Sequence, residues 1–150
     1  MDTTKGGIDD TVAKFCGIEV EKASADFPTH SYGKLGKVKS QSLKDYAKFL
    51  KESFDYVHYL GEDDKEINTV MSCCGQGTSD NTLQFAIKNK ADCYISCDLR
   101  HHELMELYEN GIAAINLSHG ESEYKAFKSI IGKMDLKVPT FYADLDYKLK

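Results

Sequence analysis

The chain has 150 residues, of which 41% are hydrophobic and 29% are charged, and its formal net charge is −5. This length supports one domain with a hydrophobic core, and the composition excludes intrinsic disorder. The net negative charge argues against nucleic acids and anionic membranes as partners. The apolar runs are too short to span a bilayer, and no apolar signal core follows the N-terminus. We therefore expect a cytoplasmic protein.

Residues before about Ser31 carry only a weak pattern. They predict a short amphipathic helix over residues 8–15, because Val12, Ala13 and Phe15 fall on one face. Gly17 is expected to end this helix, since glycine adopts the left-handed conformation that closes many helices. A polar stretch follows, which we interpret as a linker.

From Tyr32 onward, strands alternate with helices. The strands are predicted over residues 32–38, 55–60, 67–73, 93–96, 112–117 and 138–143. Ser42 is expected to cap the helix that follows the first of them. This alternation predicts a layered α/β/α fold with a mostly parallel or mixed sheet. Ligands of such sheets gather where strands end and helices begin, so three strand-to-helix junctions are the places where chemistry is expected.

The first junction reads Cys73-Cys74-Gly75-Gln76-Gly77-Thr78-Ser79. Its glycines allow a tight turn, and free amide groups at the start of the next helix can hold an anion. The segment is neither a Walker loop nor a complete dinucleotide fingerprint. Gly75 and Gly77 are therefore candidate cofactor-binding residues, and a plain structural turn is the alternative.

The second junction reads Ser96-Cys97-Asp98-Leu99-Arg100-His101-His102. Asp98 is in position to cap the next helix, and capping alone would explain it. We also predict that Asp98 and His102 lie one helical turn apart, so that both face one cleft. Because a histidine beside a carboxylate can carry protons near neutral pH, Asp98 and His102 are candidate catalytic residues.

The third junction reads Ser118-His119-Gly120-Glu121-Ser122-Glu123. His119 ends a predicted strand and Glu123 follows four residues later, so both side chains can converge on one point. Imidazole and carboxylate suit Zn²⁺, Mn²⁺ or Fe²⁺, which makes this pair a candidate metal site. Carboxylates are also common in first helical turns because of the helix dipole, so a structural role stays open.

The chain has five cysteines, an odd number that clusters around predicted strands. A secreted disulfide scaffold normally has an even set in loops, and a zinc ribbon needs Cys-x-x-Cys pairs. We interpret these thiols as reduced and mostly buried. A soft-metal cluster or a redox-responsive site built on Cys73, Cys74 and Cys97 is the alternative.

Together, these segments resemble the NGG-one interacting factor three family, whose members are called GTP cyclohydrolase 1 type 2 homologues. Residues 2–10, Asp-Thr-Thr-Lys-Gly-Gly-Ile-Asp-Asp, are similar to the family's Asp-x-x-x-Gly-Gly-hydrophobic-Asn-Asp segment. Residues 119–123 match its terminal His-x-x-x-Glu. The remaining similar segments are residues 32–36, 70–79 and 91–102. Five motifs in the family's order carry the resemblance.

The resemblance implies a duplicated α/β fold in which residues 32–150 form one helix–strand–(strand–helix)×3 repeat. Residues 1–31 would then be a helix and linker left from the preceding repeat. It also implies two metal ions bound between the repeats, and homo-oligomers in the form of hexameric rings. The family's central aspartate, terminal histidine and terminal glutamate ligands correspond to Asp2, His119 and Glu123.

This chain also departs from the family pattern. The His-His pair that the family's first repeat supplies is absent from the sequence, and Cys97 and Ser118 replace two family glycines. The chain is therefore expected to be either a fragment or a naturally short member, which binds Zn²⁺, Mn²⁺ or Fe²⁺ weakly or not at all. The implied function is metal-dependent hydrolysis of a nucleotide or another phosphorylated substrate, with an incomplete site. The alternative is a non-catalytic protein-interaction scaffold of the same fold.

Overall fold

Strands and helices alternate along the computed structural model, which describes residues 3–27, 30–75 and 80–142. The helices within this part are α1 (Ile8–Phe15), α2 (Leu43–Leu50), α3 (Asp80–Lys88), α4 (His101–Glu109) and α5 (His119–Ile131). Its strands are β1 (Glu19–Phe27), β2 (His30–Ser42), β3 (Val57–Leu60), β4 (Glu66–Ser72), β5 (Cys93–Cys97) and β6 (Ala113–Leu117). None of the helices in the described ranges is long and apolar enough to cross a membrane.

The strands form one sheet in the order β1-β2-β4-β5-β6-β3. β4, β5 and β6 are parallel neighbours, whereas the pairs β1–β2, β2–β4 and β3–β6 are antiparallel. Of the two forms of sheet that the sequence predicts, the mixed one is confirmed. The three parallel strands lie together, so their carboxyl ends meet at one edge of the sheet.

Helices cover both faces of this sheet, which confirms the layered α/β/α architecture. The core on the face of α1, α2 and α5 includes Leu43, Tyr46, Phe54, Ile67, Ile95 and Ile115. The core on the face of α3 and α4 includes Leu35, Met71, Leu83, Tyr94, Leu107 and Ala114. All five cysteines are buried and free, as the sequence predicts for reduced thiols. Burial raises the pKa of the Cys97 thiol to about 11, so this sulfur stays protonated at neutral pH.

α2 forms where the sequence predicts it. The Ser42 side chain accepts a hydrogen bond from the backbone N–H of Asp45 at 3.1 Å, which satisfies one of the free donors at the helix start. The apolar side chains return every three or four residues, so Leu43, Tyr46 and Leu50 all face the core. The buried Tyr46 hydroxyl donates to the carbonyl of Cys16 at 2.9 Å and links this helix to the end of α1.

β1 is the main difference from the predicted fold. The polar stretch that we interpreted as a linker within residues 1–31 is an edge strand paired with β2. Its sequence is polar, as edge strands often are, because charged side chains keep the unpaired edge from pairing with other chains, so the apolar signal is weak. A β-carbon on Gly36 would lie 2.0 Å from the carbonyl oxygen of Glu19, so glycine is what lets the two strands approach.

The last predicted strand is also wrong within the described residues. Residues 138–142 have no strand structure, and residue 143 lies outside the described part of the chain. Val138 is 67% exposed and Phe141 is 90% exposed. A β-branched or aromatic residue favours a strand only when it packs against neighbouring strands, which these two side chains do not.

Candidate functional site

The three junctions that the sequence singled out meet at the carboxyl edge of the parallel strands. Gly75 follows β4, Asp98 follows β5 and His119 follows β6. The first two junctions are joined through the backbone, because the N–H of Cys97 donates to the carbonyl of Gly75 at 3.1 Å. The hydroxyl of Ser96 donates to the same carbonyl at 3.2 Å.

His119 lies between two carboxylates. Its Nδ1 is 2.6 Å from Asp98 Oδ2, and its Nε2 is 2.9 Å from Glu123 Oε1. His119 is the first residue of α5, so Glu123, four residues later, lies on the same side of the helix. The imidazole therefore bridges a carboxylate on its own helix and one from the neighbouring junction.

These carboxylates change the protonation of the imidazole. The hydrogen bond to Asp98 raises the pKa of His119 above its ordinary value, and Glu123 acts in the same direction, while partial burial opposes them. The protonated ring can donate from both nitrogens at once, one to each carboxylate. A raised histidine pKa stabilises the fold below the ordinary pKa, and this stabilisation is lost as the pH rises through the raised pKa.

Asp98→Asn is therefore expected to lower the pKa of His119 toward its ordinary value, because it removes the largest cause of the shift. The free energy of unfolding should then fall less steeply with rising pH than in the unchanged protein. NMR titration of the His119 ring measures the first effect, and urea denaturation at several pH values measures the second. Asp64→Asn, in an exposed turn, is the control that removes the same charge elsewhere. An unchanged His119 titration in Asp98→Asn would contradict this electrostatic account.

Gly75 leaves open space in front of this pair. Its φ is +63°, a conformation that favours glycine. A β-carbon at this position would lie 3.3 Å from both His119 Nε2 and Glu123 Oε1. The space that a side chain would fill borders one imidazole nitrogen and one carboxylate oxygen. Borderline or hard divalent cations are bound by donor atoms of these two kinds.

His119 and Glu123 carry donor atoms of the kind that a divalent cation takes, and Asp98 is in a supporting position. Metal-binding histidines usually donate their other ring N–H to a carboxylate, which fixes the tautomer, and Asp98 is in that place on Nδ1. Asp98 cannot also bind a cation held at Nε2, because the two nitrogens are on opposite edges of the ring. Accordingly, no group of three or more His, Cys, Asp and Glu side chains suited to a metal ion occurs among the described residues.

Glu121 fixes the start of α5 from another side of the helix. Its Oε1 accepts the backbone N–H of Asp55 at 2.7 Å, and its Oε2 accepts that of Tyr56 at 3.3 Å. The ammonium nitrogen Nζ of Lys125, one helical turn further along, lies 2.6 Å from Glu121 Oε1. It also donates to the carbonyl of Ser53 at 2.8 Å. This cluster ties α5 to the loop before β3.

The structure brings together Gly75, Asp98, His119 and Glu123 from the predicted site residues. His102 is exposed on α4. The candidate ligand Asp2 and the candidate anion-binding Gly77 lie outside the described residues.

The helical relation predicted for Asp98 and His102 is wrong. α4 begins at His101 and its N-cap is Arg100, whose backbone N–H donates to Glu103 Oε2 at 2.6 Å. Asp98 precedes the helix with φ +53°, a left-handed conformation that aspartate tolerates better than most residues. Asp98 therefore does not cap α4, and its side chain turns toward α5.

Sequence reasoning missed the contact between Asp98 and His119. The two residues are 21 positions apart, and each ends up beside the other because β5 and β6 are parallel neighbours. The available signal was that both follow consecutive strands of an alternating pattern, whose ends meet when the strands are adjacent in the sheet.

The chain is similar to known proteins of one family. The model of the family Duf34/NIF3 (NGG1p interacting factor 3) matches residues 1–147. The chain belongs to the DUF34/NIF3 family. The family predicted from five short motifs is thus confirmed over nearly the whole sequence.

The similar curated proteins are named GTP cyclohydrolase 1 type 2 homologs. The one from Streptococcus pneumoniae is 28% identical in an alignment of 126 residues that covers 79% of this chain and 47% of that protein. The one from Methanocaldococcus jannaschii is 27% identical over 149 residues, covering 92% of this chain and 57% of that protein. The chain therefore spans about half the length of the curated relatives it matches.

Solved structures show the same fold. Staphylococcus aureus protein SA1388 superposes with a TM-score of 0.74 at 16% identity, covering 99% of this chain and 66% of that one. Reduced HcgD from Methanocaldococcus jannaschii superposes with a TM-score of 0.69 at 23% identity, covering 90% and 55%. The mixed α/β fold of this chain is thus the fold of DUF34/NIF3 proteins.

Proposed function

We propose that this DUF34/NIF3 chain contributes one half of a divalent-metal site, in which His119 and Glu123 are ligands and Asp98 orients His119. The observation that supports this proposal is the pair of donor atoms 2.9 Å apart, His119 Nε2 and Glu123 Oε1, on the side that Gly75 leaves open. For a site completed by further ligands we propose metal-dependent hydrolysis of a nucleotide or another phosphorylated substrate. The name of the relatives, GTP cyclohydrolase 1 type 2 homolog, supports a purine nucleotide as the substrate class.

Each residue of the site has a distinct task under this proposal. Asp98 keeps the ring proton on Nδ1, so that the lone pair of His119 Nε2 points toward the space beside Gly75. A divalent cation bound there supplies Lewis acidity, which activates water and polarises a phosphoryl or carbonyl oxygen. Gly75 allows a substrate group to approach without meeting a side chain.

Two further proposed roles fall on residues outside the described part of the chain. Asp2 is the proposed third ligand, and Gly77 is the proposed second glycine around an anionic group. Because His119 and Glu123 supply only two ligands, we expect the chain by itself to hold Zn²⁺, Mn²⁺ or Fe²⁺ weakly, and a homo-oligomer, hexameric by family resemblance, to hold it better. Asp98 is already bonded to His119, so its proton-carrying role is less favoured, and that of His102 stays a prediction.

Gly75→Ala tests the proposed site. The new methyl group would lie 3.3 Å from both donor atoms, so we expect Zn²⁺ affinity to fall at least about tenfold in isothermal titration calorimetry. Left-handed strain is expected to cost about 1 kcal/mol of stability. Gly111→Ala is the matched control, because its φ is +70° and no atom lies within 4 Å of the position that its methyl group would take. It should lose the same stability and keep the affinity. Equal Zn²⁺ affinity in both variants would contradict a site beside Gly75.

A non-catalytic interaction scaffold is the second candidate. One observation favours it: His119 Nε2 and Glu123 Oε1 already lie 2.9 Å apart in a hydrogen bond, so this pair has partners without a cation. The family description, NGG1p interacting factor 3, records a protein interaction. In this case the double variant His119→Ala, Glu123→Ala would keep its assembly and partner binding. Loss of hydrolytic turnover in that variant would instead support the enzyme.

A further inference from the structure

Asp9 is a buried carboxylate on α1 that holds two distant backbone segments. Its side chain is fully buried. Its Oδ2 accepts the backbone N–H of Gly33 on β2 at 2.9 Å, and its Oδ1 accepts that of Cys74 at 3.1 Å. The two partners are 24 and 65 residues away along the chain. One side chain therefore joins α1 to β2 and to the turn that follows β4.

The turn that Asp9 holds is the one that faces the candidate metal ligands. The carbonyl of Cys74 accepts a hydrogen bond from the Tyr32 hydroxyl, so the peptide groups on both sides of this residue are anchored. The next residue is Gly75, where an added β-carbon would lie 3.3 Å from both His119 Nε2 and Glu123 Oε1. A shift of the Cys74 peptide would therefore change the width of the space in front of that pair.

The ionised form of Asp9 matches the two backbone donors at this position. Both of its oxygens accept, and each backbone N–H finds one of them. An asparagine would accept with one atom and place its NH₂ group against the other N–H, which leaves a buried donor without an acceptor. The ammonium of Lys34, 3.8 Å from Asp9 Oδ2, favours the ionised form.

Burial opposes that charge. Burial raises the pKa of Asp9 to about 6, while the bond from Cys74, the Lys34 charge and the bond from Gly33 act against the rise. Asp10 adds a smaller upward effect. Titratable groups on the surrounding elements include Lys34 of β2, Asp10 and Cys16 of the α1 segment, Cys74 of the turn, and His119, Glu121 and Glu123 at the start of α5, which packs on α1.

We propose that Asp9 is a positioning residue, which holds the Cys74–Gly75 turn at the distance from His119 and Glu123 that a bound cation requires. This inference rests on the proposed metal-binding function for its consequence, and on the hydrogen bonds of Asp9 for its mechanism. This anchoring depends on pH, because protonation of Asp9 places a hydrogen on one of the two oxygens that accept the backbone hydrogen bonds. The relevant pH range is the one in which cytoplasmic and acidified compartments differ.

The sign of the stability effect follows from the raised pKa. Between the ordinary pKa of an aspartate and about 6, the folded chain keeps a proton that the unfolded chain has released. The contribution of Asp9 to the free energy of unfolding therefore falls as the pH rises through this window. As the pH rises through the same window, Asp9 becomes ionised and anchors the Cys74–Gly75 turn better. The free energy of unfolding and the order of this turn therefore change in opposite directions.

NMR on the unsubstituted chain, without any metal, tests the mechanism. The backbone amide signals of Cys74, Gly75 and Gly33 should titrate together with a midpoint near pH 6. Lys34→Met should raise this midpoint, because the Lys34 charge lowers the pKa of Asp9. Amide signals that do not follow a common titration, or a midpoint that Lys34→Met leaves in place, would overturn the inference, and neither result depends on how a variant of Asp9 folds.

Asp9→Asn then tests the consequence. Hydrogen exchange of the Cys74 amide should accelerate at least about tenfold, and the titration near pH 6 should disappear. Asp10→Asn is the matched control: it removes the same charge, also near Lys34, from a side chain that has a contact with Gly6 rather than with the turn. Its Cys74 exchange should stay within about threefold of the unchanged protein. Accelerated exchange in both variants would mean that charge alone, and not the two hydrogen bonds, holds the turn.

A Zn²⁺ titration separates this inference from the proposed function. If the unchanged chain binds Zn²⁺, Asp9→Asn should weaken binding at least about tenfold at pH 7. If the unchanged chain binds no Zn²⁺ while its Cys74 and Gly75 signals titrate as expected, the proposed function fails and the anchoring role of Asp9 stands. Unweakened Zn²⁺ binding in Asp9→Asn would overturn the positioning role.

Discussion

Replacing Gly36 by alanine is expected to lower the free energy of unfolding by about 3 kcal/mol or more. The new β-carbon would lie 2.0 Å from the carbonyl oxygen of Glu19, 2.6 Å from its carbonyl carbon and 2.8 Å from the α-carbon of Val20. All three atoms belong to the backbone, so no side chain can rotate away and β1 must move off β2. Urea denaturation followed by circular dichroism measures the loss.

Gly120→Ala is the control for this prediction. Gly120 lies in the first turn of α5, and no atom outside its chain neighbours and the adjacent helix backbone lies within 4 Å of the position that a β-carbon would take. Because alanine has a higher helix propensity than glycine, this variant should gain up to about 1 kcal/mol. A Gly36→Ala protein as stable as the unchanged one would mean that β1 does not pair with β2 in the register described above.

Replacing His119 by alanine is expected to have the largest effect on metal binding. Loss of an outer partner of a metal ligand typically weakens affinity by about 10- to 100-fold, and loss of the ligand itself should cost at least about 100-fold. For a chain that binds weakly, this change moves Zn²⁺ binding below the detection limit of calorimetry. The side chain is half-exposed, so its removal should leave the fold intact.

His101→Ala is the matched control, because this exposed histidine on α4 removes a second imidazole without touching the site. Its Zn²⁺ affinity should equal that of the unchanged protein. If both variants lose the same affinity, the bound Zn²⁺ is held by surface histidines in general. If His119→Ala keeps full affinity, Glu123 and the space beside Gly75 are not a metal site.

The parts of the fold that depend on local sequence could be predicted. α2, with its Ser42 cap and regularly spaced apolar residues, and the strands β4, β5 and β6, with their buried runs, appear where the pattern indicates. β1 could not be predicted, because what makes it a strand is its pairing with β2 and the missing side chain of Gly36. The mixed sheet follows from that hairpin and from β3, neither of which has a strong pattern of its own.

The same distinction applies to the candidate site. His119 and Glu123 are four residues apart in one helix, so their contact could be predicted from spacing. Asp98 reaches His119 only because two strands are neighbours, and Asp9 reaches Cys74 across 65 residues. Such contacts depend on strand order and helix placement, which hydrophobic periodicity does not encode. The sequence therefore predicted the proposed ligands better than the residues that orient them.

The direction in which His119 and Glu123 point is set by a residue on the other side of their helix. Successive residues of an α-helix are turned by about 100°, so Glu121 projects nearly opposite to His119 and Glu123. Any rotation of α5 about its own axis would have to break the hydrogen bonds that the Glu121 carboxylate accepts from the backbone N–H groups of Asp55 and Tyr56. Glu121 thus fixes the rotation of α5 about its axis. To change the direction of the His119 imidazole, a designer would have to move the loop before β3 rather than the helix.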